Sequence, residues 1–177
     1  MKIKNKIALM AAALSVIGFA VPISSSGNPH EAARPFHAVI HGNANPFPID
    51  PCTLGNHETG SGHALHLGAI TWTSDETVKF LSCSPPSPPG SAIAVSGTFT
   101  ITAANGDEIK GEYQTTGTLD PVNGVSVLGA YTLVSGTGRF ANVTGSGVIA
   151  AHGAGAPPFE FVSSMNGIIE YDRHRNE

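Results

Sequence analysis

Apolar and hydroxyl-bearing residues alternate most regularly between residues 91 and 103. From Ile93 to Ala103 every second residue except Gly97 is apolar, and the residues between them are mainly serine and threonine. A period of two predicts a β-strand with one buried face and one solvent-facing face. After a turn at Asn105-Gly106, the alternation resumes with Ile109. The two runs together predict a β-hairpin.

The pairing of apolar residues across the two strands decides the length of the hairpin loop. A two-residue loop would pair Ile101 with Lys110, which sets an apolar side chain against a charged one. A three-residue loop over residues 104–106 pairs Ile101 with Ile109 instead, with Gly106 in the left-handed conformation. We therefore predict the three-residue loop. The side chains expected on its common apolar face are Phe99, Ile101, Ile109 and Tyr113.

Six further segments have strand-like patterns, which brings the total to about eight strands. They cover residues 36–41, 63–74, 77–84, 125–134, 142–153 and 158–171. Residues 42–62 are rich in Pro, Asn and Gly and are predicted to form a loop, with a further break at 74–76. Residues 85–90 contain four prolines, which cannot donate to a ladder, so they are expected to form a surface connection.

These segments predict an all-β fold, a closed antiparallel β-barrel of about eight strands, with a closed sandwich as the alternative. Such a barrel has no free edges and can hold one small ligand. The strand at 125–134 is apolar on both faces, so one face could pack against a subunit or a loop. The segment at 63–73 is also apolar on both faces, which leaves open which face points inward.

The N-terminus has the features of a secretory signal peptide, predicted over residues 1–26. Three lysines precede an uncharged apolar run that is too short for a membrane span, and cleavage is expected after Ala20 or Ser26. No cysteine lies near either position, so no lipid anchor is predicted. A flexible lead-in at 27–35, a single β-barrel domain at 36–171 and a polar tail at 172–177 would follow. The protein is therefore predicted to be secreted or periplasmic.

Charge excludes one class of partner. The chain has nine basic and thirteen acidic residues, and loss of Lys2, Lys4 and Lys6 would leave six and thirteen, a formal charge of −7. A nucleic-acid partner needs a basic stripe, and the sequence has none. Export also favours a disulfide between Cys52 and Cys83, because the compartment is oxidising and neither cysteine has metal-ligand spacing. Two free thiols are the alternative.

Other motifs predict no cofactor and no metal. Residues 136–141 and 145–150 fit the dinucleotide pattern GxGxxA, but no helical pattern follows either one, so both are interpreted as turns. Eight histidines suggest zinc or copper, yet their spacings on strands and loops do not force convergence. Motifs of hydrolases are absent. Glu112 and His66 are the polar residues nearest to apolar strand positions, and Glu112 is expected on the charged face.

The segment GTGRFANVTGSG, preceded by AYTLVS and with FTITAANGDEIKGEY and GHALHLG upstream, resembles the allene oxide cyclase barrel-like superfamily, which includes dirigent proteins. The resemblance runs from about Gly62 to Ile169, is most specific at 136–145, and is greatest to a bacterial secreted branch. It implies a closed eight-stranded antiparallel barrel, often a homo-oligomer, with a largely apolar cavity. Enzymes of the superfamily use acidic and polar groups in that cavity, but no catalytic residue can be assigned here.

Two functions follow as hypotheses. The first is an exported barrel that binds a small apolar molecule or has a structural role. The second is a cyclase or isomerase that acts on an apolar substrate in the cavity, where positioning supplies much of the catalysis. A buried carboxylate or histidine in the cavity would favour the enzyme, and a filled interior would favour a structural role. The cavity candidates are Trp72, Phe99, Tyr113 and His66, with room expected beside the rings at Gly97 and Gly111.

Overall fold

A computed structural model describes residues 33–83, 90–120, 123–154 and 158–172. The predicted signal peptide, most of the lead-in and most of the polar tail lie outside these residues. No helix among the described residues is long and apolar enough to cross a membrane.

Eight antiparallel strands, each paired with its sequence neighbours, form a closed barrel, which confirms the predicted fold class. Strand β8 pairs with β1 and closes the sheet. One short 3₁₀ helix, Gly138–Phe140, lies between β6 and β7. The strands are β1 Arg34–Asp50, β2 Thr53–Ala64, β3 Gly68–Phe80, β4 Ser91–Ala103, β5 Glu108–Asp120, β6 Gly124–Gly136, β7 Thr144–Ala154 and β8 Phe159–Glu170.

The β4–β5 hairpin has the predicted register and loop. Ile101 pairs with Ile109, and the chain turns through three residues between Ala103 and Asp107. Gly106 has a φ of 87°. The inward side chains of this hairpin form part of the core, including Phe99 at 2% exposure and Ile101 at 0%.

We expect Gly106→Ala to lower the free energy of unfolding by about 1 kcal/mol, because a Cβ is disfavoured in the left-handed region. Beyond the two adjoining residues, no described atom lies within 4 Å of the position that the Cβ would take, so backbone strain accounts for the loss. Urea unfolding of the two proteins measures the difference. An unchanged midpoint would contradict the strain argument.

Three sequence predictions about the strands were wrong. Residues 42–62 do not form a loop, because β1 continues to Asp50 and β2 begins at Thr53. The segment 63–74 is not one strand, because the chain turns at residues 65–67, where His66 has a φ of 74°. Strand β3 then runs to Phe80 without the break expected at 74–76.

One end of the barrel, which we call the closed end, is filled by side chains. The turn after β6 carries Phe140 and Val143 into the core, at 0% and 2% exposure. Arg139 of the same turn donates from Nη2 to the backbone oxygen of His66 at 2.9 Å, which ties it to the β2–β3 turn. The glycine-rich GTGRF motif is thus a turn, as predicted. Its side chains also fill the closed end of the barrel.

The opposite end, the cavity end, carries the β1–β2 turn and the C-terminal ends of β3, β5 and β7. Cys52 and Cys83 form the predicted disulfide there, with their Cα atoms 5.3 Å apart. The bridge joins the start of β2 to the residues just after β3. On the outside of the barrel, Leu128 and Val134 of β6 are 59% and 61% exposed, so the second apolar face of this strand faces outward.

Candidate functional site

The barrel encloses a cavity of about 510 Å³ between its middle and the cavity end. Alternate residues of all eight strands line it, because successive side chains of a strand point to opposite faces. Most of the lining is apolar, including Leu54, Val78, Ile93, Val127 and Phe161. The polar lining is concentrated on β2, β3 and β5.

Two glutamates, Glu58 of β2 and Glu76 of β3, point into this cavity, and we call them the carboxyl pair. Register explains why they are close. Glu58 lies opposite Ser74, and Glu76 lies opposite Asn56, so the two acids occupy neighbouring inward positions of adjacent strands.

Both members of the pair accept hydrogen bonds from neighbouring side chains. Glu58 Oε2 accepts from Ser74 Oγ at 2.7 Å and from Trp72 Nε1 at 3.2 Å. Glu76 accepts from Asn56 Nδ2 at 2.7 Å and from the Tyr113 hydroxyl at 2.5 Å. These bonds fix the orientation of both carboxyl groups.

Gly97 makes the Tyr113–Glu76 contact possible. It lies on β4 between the two residues, paired with Glu76 on one side and with Tyr113 on the other. A Cβ at Gly97 would lie 2.8 Å from the Glu76 Cβ and 2.9 Å from the Tyr113 Cζ. Gly111 likewise lies under the ring of Phe99, and a Cβ at Gly111 would lie 2.4 Å from the Phe99 Cζ. The room predicted at these glycines therefore holds the rings themselves.

Burial changes the proton affinity of the pair. It raises the pKa of Glu58 from 4.5 to about 7, the charge of Glu76 adds to the rise, and the bonds from Ser74 and Trp72 oppose it. Burial also raises the pKa of Glu76, against the bonds from Asn56 and Tyr113. The pKa of Tyr113 is raised as well, by burial and by the two acids, so this phenol remains a donor at neutral pH.

Two acceptor atoms in the cavity have no partner among the described residues. Asn56 Oδ1 and Thr115 Oγ1 are buried without a hydrogen bond. Both of these residues line the cavity. A buried polar group without a partner costs about 1–3 kcal/mol, so a guest that satisfies it gains that amount.

The structure separates the four cavity candidates. Trp72 and Tyr113 line the cavity. Phe99 stacks on Trp72 with ring centroids 4.9 Å apart, on the side toward the core. His66 lies in the β2–β3 turn at the closed end, where its Nε2 is 2.9 Å from the Pro35 carbonyl oxygen, and it is not among the lining residues.

Sequence reasoning missed both members of the carboxyl pair. Glu58 fell in the predicted loop at 42–62, and Glu76 fell in the predicted break at 74–76. Glu112, which the sequence predicts on the charged face of its strand, is exposed on the outer face of β5. The signal that could have found Glu76 is its place in the alternation Ile70, Trp72, Ser74, Glu76, Val78. Within the described ranges, no group of three or more His, Cys, Asp or Glu residues is arranged to hold a metal ion.

No protein-family model matches the sequence. No curated protein matches it either. Among solved structures, the barrel is similar to the pterocarpan synthase dirigent protein GePTS1, with 10% sequence identity and a TM-score of 0.49 over 90% of this chain and 100% of that chain. The likeness concerns the barrel as a whole and carries no conclusion about chemistry.

Proposed function

We propose that the barrel binds one small, mainly apolar molecule in its cavity and holds a polar group of that molecule against the carboxyl pair. The observation that carries this proposal is a cavity of about 510 Å³ with apolar walls and two buried carboxyl groups. Its volume falls in the range of about 300–1,000 Å³ that is typical of ligand pockets.

A purely structural barrel gains nothing from this arrangement. Burying an acid raises its pKa because its charged form loses hydration, and two such acids side by side repel each other. Apolar residues of similar volume would fill the space and stabilise the fold. Convergent polar groups with shifted pKa values in an apolar cavity are instead typical of binding and catalytic sites.

An acid-catalysed cyclase or isomerase is the second candidate, and the pKa of Glu58 favours it. A group that titrates near pH 7 can both donate and accept a proton under neutral conditions. Glu58 would protonate a substrate oxygen while the apolar walls hold the chain in a reactive shape. The two functions differ in one result: Glu58→Gln would retain product binding and lose turnover in an enzyme.

Export and family placement remain part of this proposal. The lysine-rich, apolar N-terminus supports a signal peptide, and the Cys52–Cys83 bridge is compatible with an oxidising compartment. Placement in a secreted bacterial branch of the allene oxide cyclase barrel-like proteins rests on the motif at 136–145. An assembly of several copies would use the exposed apolar residues of β6.

We expect Ala151→Leu to weaken the binding of Nile red, a neutral apolar fluorophore, by about tenfold or more. Ala151 lines the cavity from β7, so a leucine there occupies volume that the guest needs. Fluorescence titration of the purified protein measures the affinity. Emission of Trp72, the single tryptophan of the chain, gives a second signal from inside the cavity.

The matched control is Ala150→Leu. Ala150 is the neighbouring residue on β7 and points to the outer face, so the same substitution adds the same apolar area outside the cavity. Its affinity for Nile red should equal that of the wild-type protein. Equal weakening in both variants, or no binding to the wild-type protein, would contradict the proposal.

A further inference from the structure

We infer that the natural guest is a lipophilic amine, bound as its ammonium cation against the carboxyl pair, rather than a carboxylic acid or a neutral lipid. This inference rests on the proposed binding function and specifies its ligand class. It follows from the charges that line the cavity and from the acceptors that have no partner there.

The described lining of the cavity is acidic. Glu58, Glu76 and Asp120 line it, and no Lys, Arg or His is among the described lining residues. The internal segments outside the description, 84–89, 121–122 and 155–157, contain no charged residue or histidine. Lys79 and Lys110 are exposed on the outer faces of their strands.

The charge of the cavity therefore predicts the order of affinity for anionic, neutral and cationic guests. A carboxylate guest would add a further negative charge next to the carboxyl pair, which is unfavourable in a poorly hydrated space. A neutral guest gains from apolar burial but leaves the repulsion between the two acids unchanged. An ammonium group attracts both acids at once, so it is stabilised where the other two are not.

Hydrogen-bonding capacity points to a primary amine. An ammonium group has three donors and no acceptor. Two buried acceptor atoms of the cavity lack partners among the described residues, Asn56 Oδ1 and Thr115 Oγ1, which leaves the third donor of an ammonium group for a carboxylate of the pair. An alcohol has one donor and cannot donate to both of these atoms. The rings of Trp72 and Tyr113 line the same cavity and provide π-systems that attract cations.

The groups that face Glu58 set the pH dependence of binding. Glu76 and the Tyr113 phenol lie on the same wall, Asp120 lies nearer the cavity end, and His57 lies on the outer face of β2. A cation prefers the charged carboxylate, and an alkylammonium remains charged up to about pH 10, as lysine does. Affinity for the amine should therefore increase as the pH rises through about 7.

Calorimetric titration of the wild-type protein with octylamine, octanol and octanoate tests the inference, because the three guests share one alkyl chain. At pH 8 we expect octylamine to bind with one-to-one stoichiometry and at least about tenfold more tightly than octanol. Octanoate should bind more weakly than octanol. Titrations in buffers with different ionisation enthalpies should show protons released on amine binding at pH 7, because the cation lowers the pKa of the carboxyl pair.

Two isosteric variants locate the effect. Glu58→Gln should remove most of the advantage of octylamine over octanol, because it lowers the affinity for the cation much more than the affinity for the neutral alcohol. Glu112→Gln removes the same charge from the outer surface and should leave the advantage intact, which separates the cavity from the general attraction of an acidic protein. Equal affinities of the wild-type protein for octylamine and octanol would overturn the inference but not the proposed function. Failure to bind all three guests and Nile red would overturn both.

Discussion

Glu58→Gln is expected to be more stable than the wild-type protein above pH 7, by up to about 3 kcal/mol. The pKa of Glu58 is about 7 in the folded protein, compared with an ordinary value of 4.5. Between these two values the folded protein keeps a proton that the unfolded chain has released. The stability that this proton provides is complete below about pH 4.5 and is lost as the pH rises through 7. Glutamine is neutral throughout and avoids the loss.

The side-chain bonds around Glu58 allow this substitution. Ser74 and Trp72 both donate to a single oxygen, Oε2, and the amide oxygen of glutamine can accept both bonds. The amide nitrogen would then occupy the position of Oε1. The variant thus removes a buried charge and keeps the Ser74 and Trp72 donors paired, which separates the electrostatic cost from the loss of these two bonds.

Urea unfolding at several pH values between 4 and 8 measures the effect. The wild-type and variant curves should coincide near pH 4.5 and diverge toward pH 8. The exposed residue Glu112 provides the control, since Glu112→Gln should follow the wild-type curve over the whole range. Parallel curves for Glu58→Gln and the wild-type protein would show that Glu58 titrates normally and that the cavity is well hydrated.

The sequence predicted the barrel where burial and alternation agree. On the β4–β5 hairpin the inward residues are apolar and the outward residues carry hydroxyl groups or charges, so one register places all apolar side chains inside. The observed pairing of Ile101 with Ile109 follows from that register. In such strands the sequence pattern and the physical cause of folding are the same.

The hydrophobic pattern did not predict the strands correctly where they line the cavity. Strand β2 has few apolar residues, because its inward positions are Leu54, Asn56, Glu58, Gly60, Gly62 and Ala64. Polar and minimal side chains on an inward face resemble a loop when only hydrophobicity is considered. The same applies to Ser74 and Glu76 on β3. The carboxyl pair was missed because polar residues at inward positions depart from the apolar pattern on which the strand predictions were based.

The sequence did not predict the β2–β3 turn, for the opposite reason. Leu65, His66 and Leu67 continue the apolar composition of the strands around them, so no glycine or proline marks the turn before Gly68. Leu67 is buried at 6% exposure and closes the barrel end, which explains why an apolar residue is placed there. His66 adopts a positive φ that the pattern does not predict. Tertiary packing therefore determines the position of this turn.

Removing the Cys52–Cys83 bridge is expected to lower the free energy of unfolding by about 3–4 kcal/mol. The two cysteines are 31 residues apart in sequence, and the bridge constrains the unfolded chain over that length. The folded protein should change little. The Phe80 N–H donates to the Cys52 carbonyl oxygen at 3.0 Å, so a backbone hydrogen bond already holds the two segments together. Urea unfolding of the double variant Cys52→Ala/Cys83→Ala measures the loss.

Nile red binding to the same double variant provides the control, because it separates the bridge's effect on the unfolded chain from an effect on the cavity. Leu54 and Val78, the lining residues nearest the two cysteines, pair directly across β2 and β3. The ladder between these strands holds them in place without the bridge, so the affinity should remain within about twofold of the wild-type value under conditions where the variant is folded. An affinity that fell together with the stability would contradict this account. The bridge would then shape the cavity itself, and the cost of its removal would arise in the folded protein.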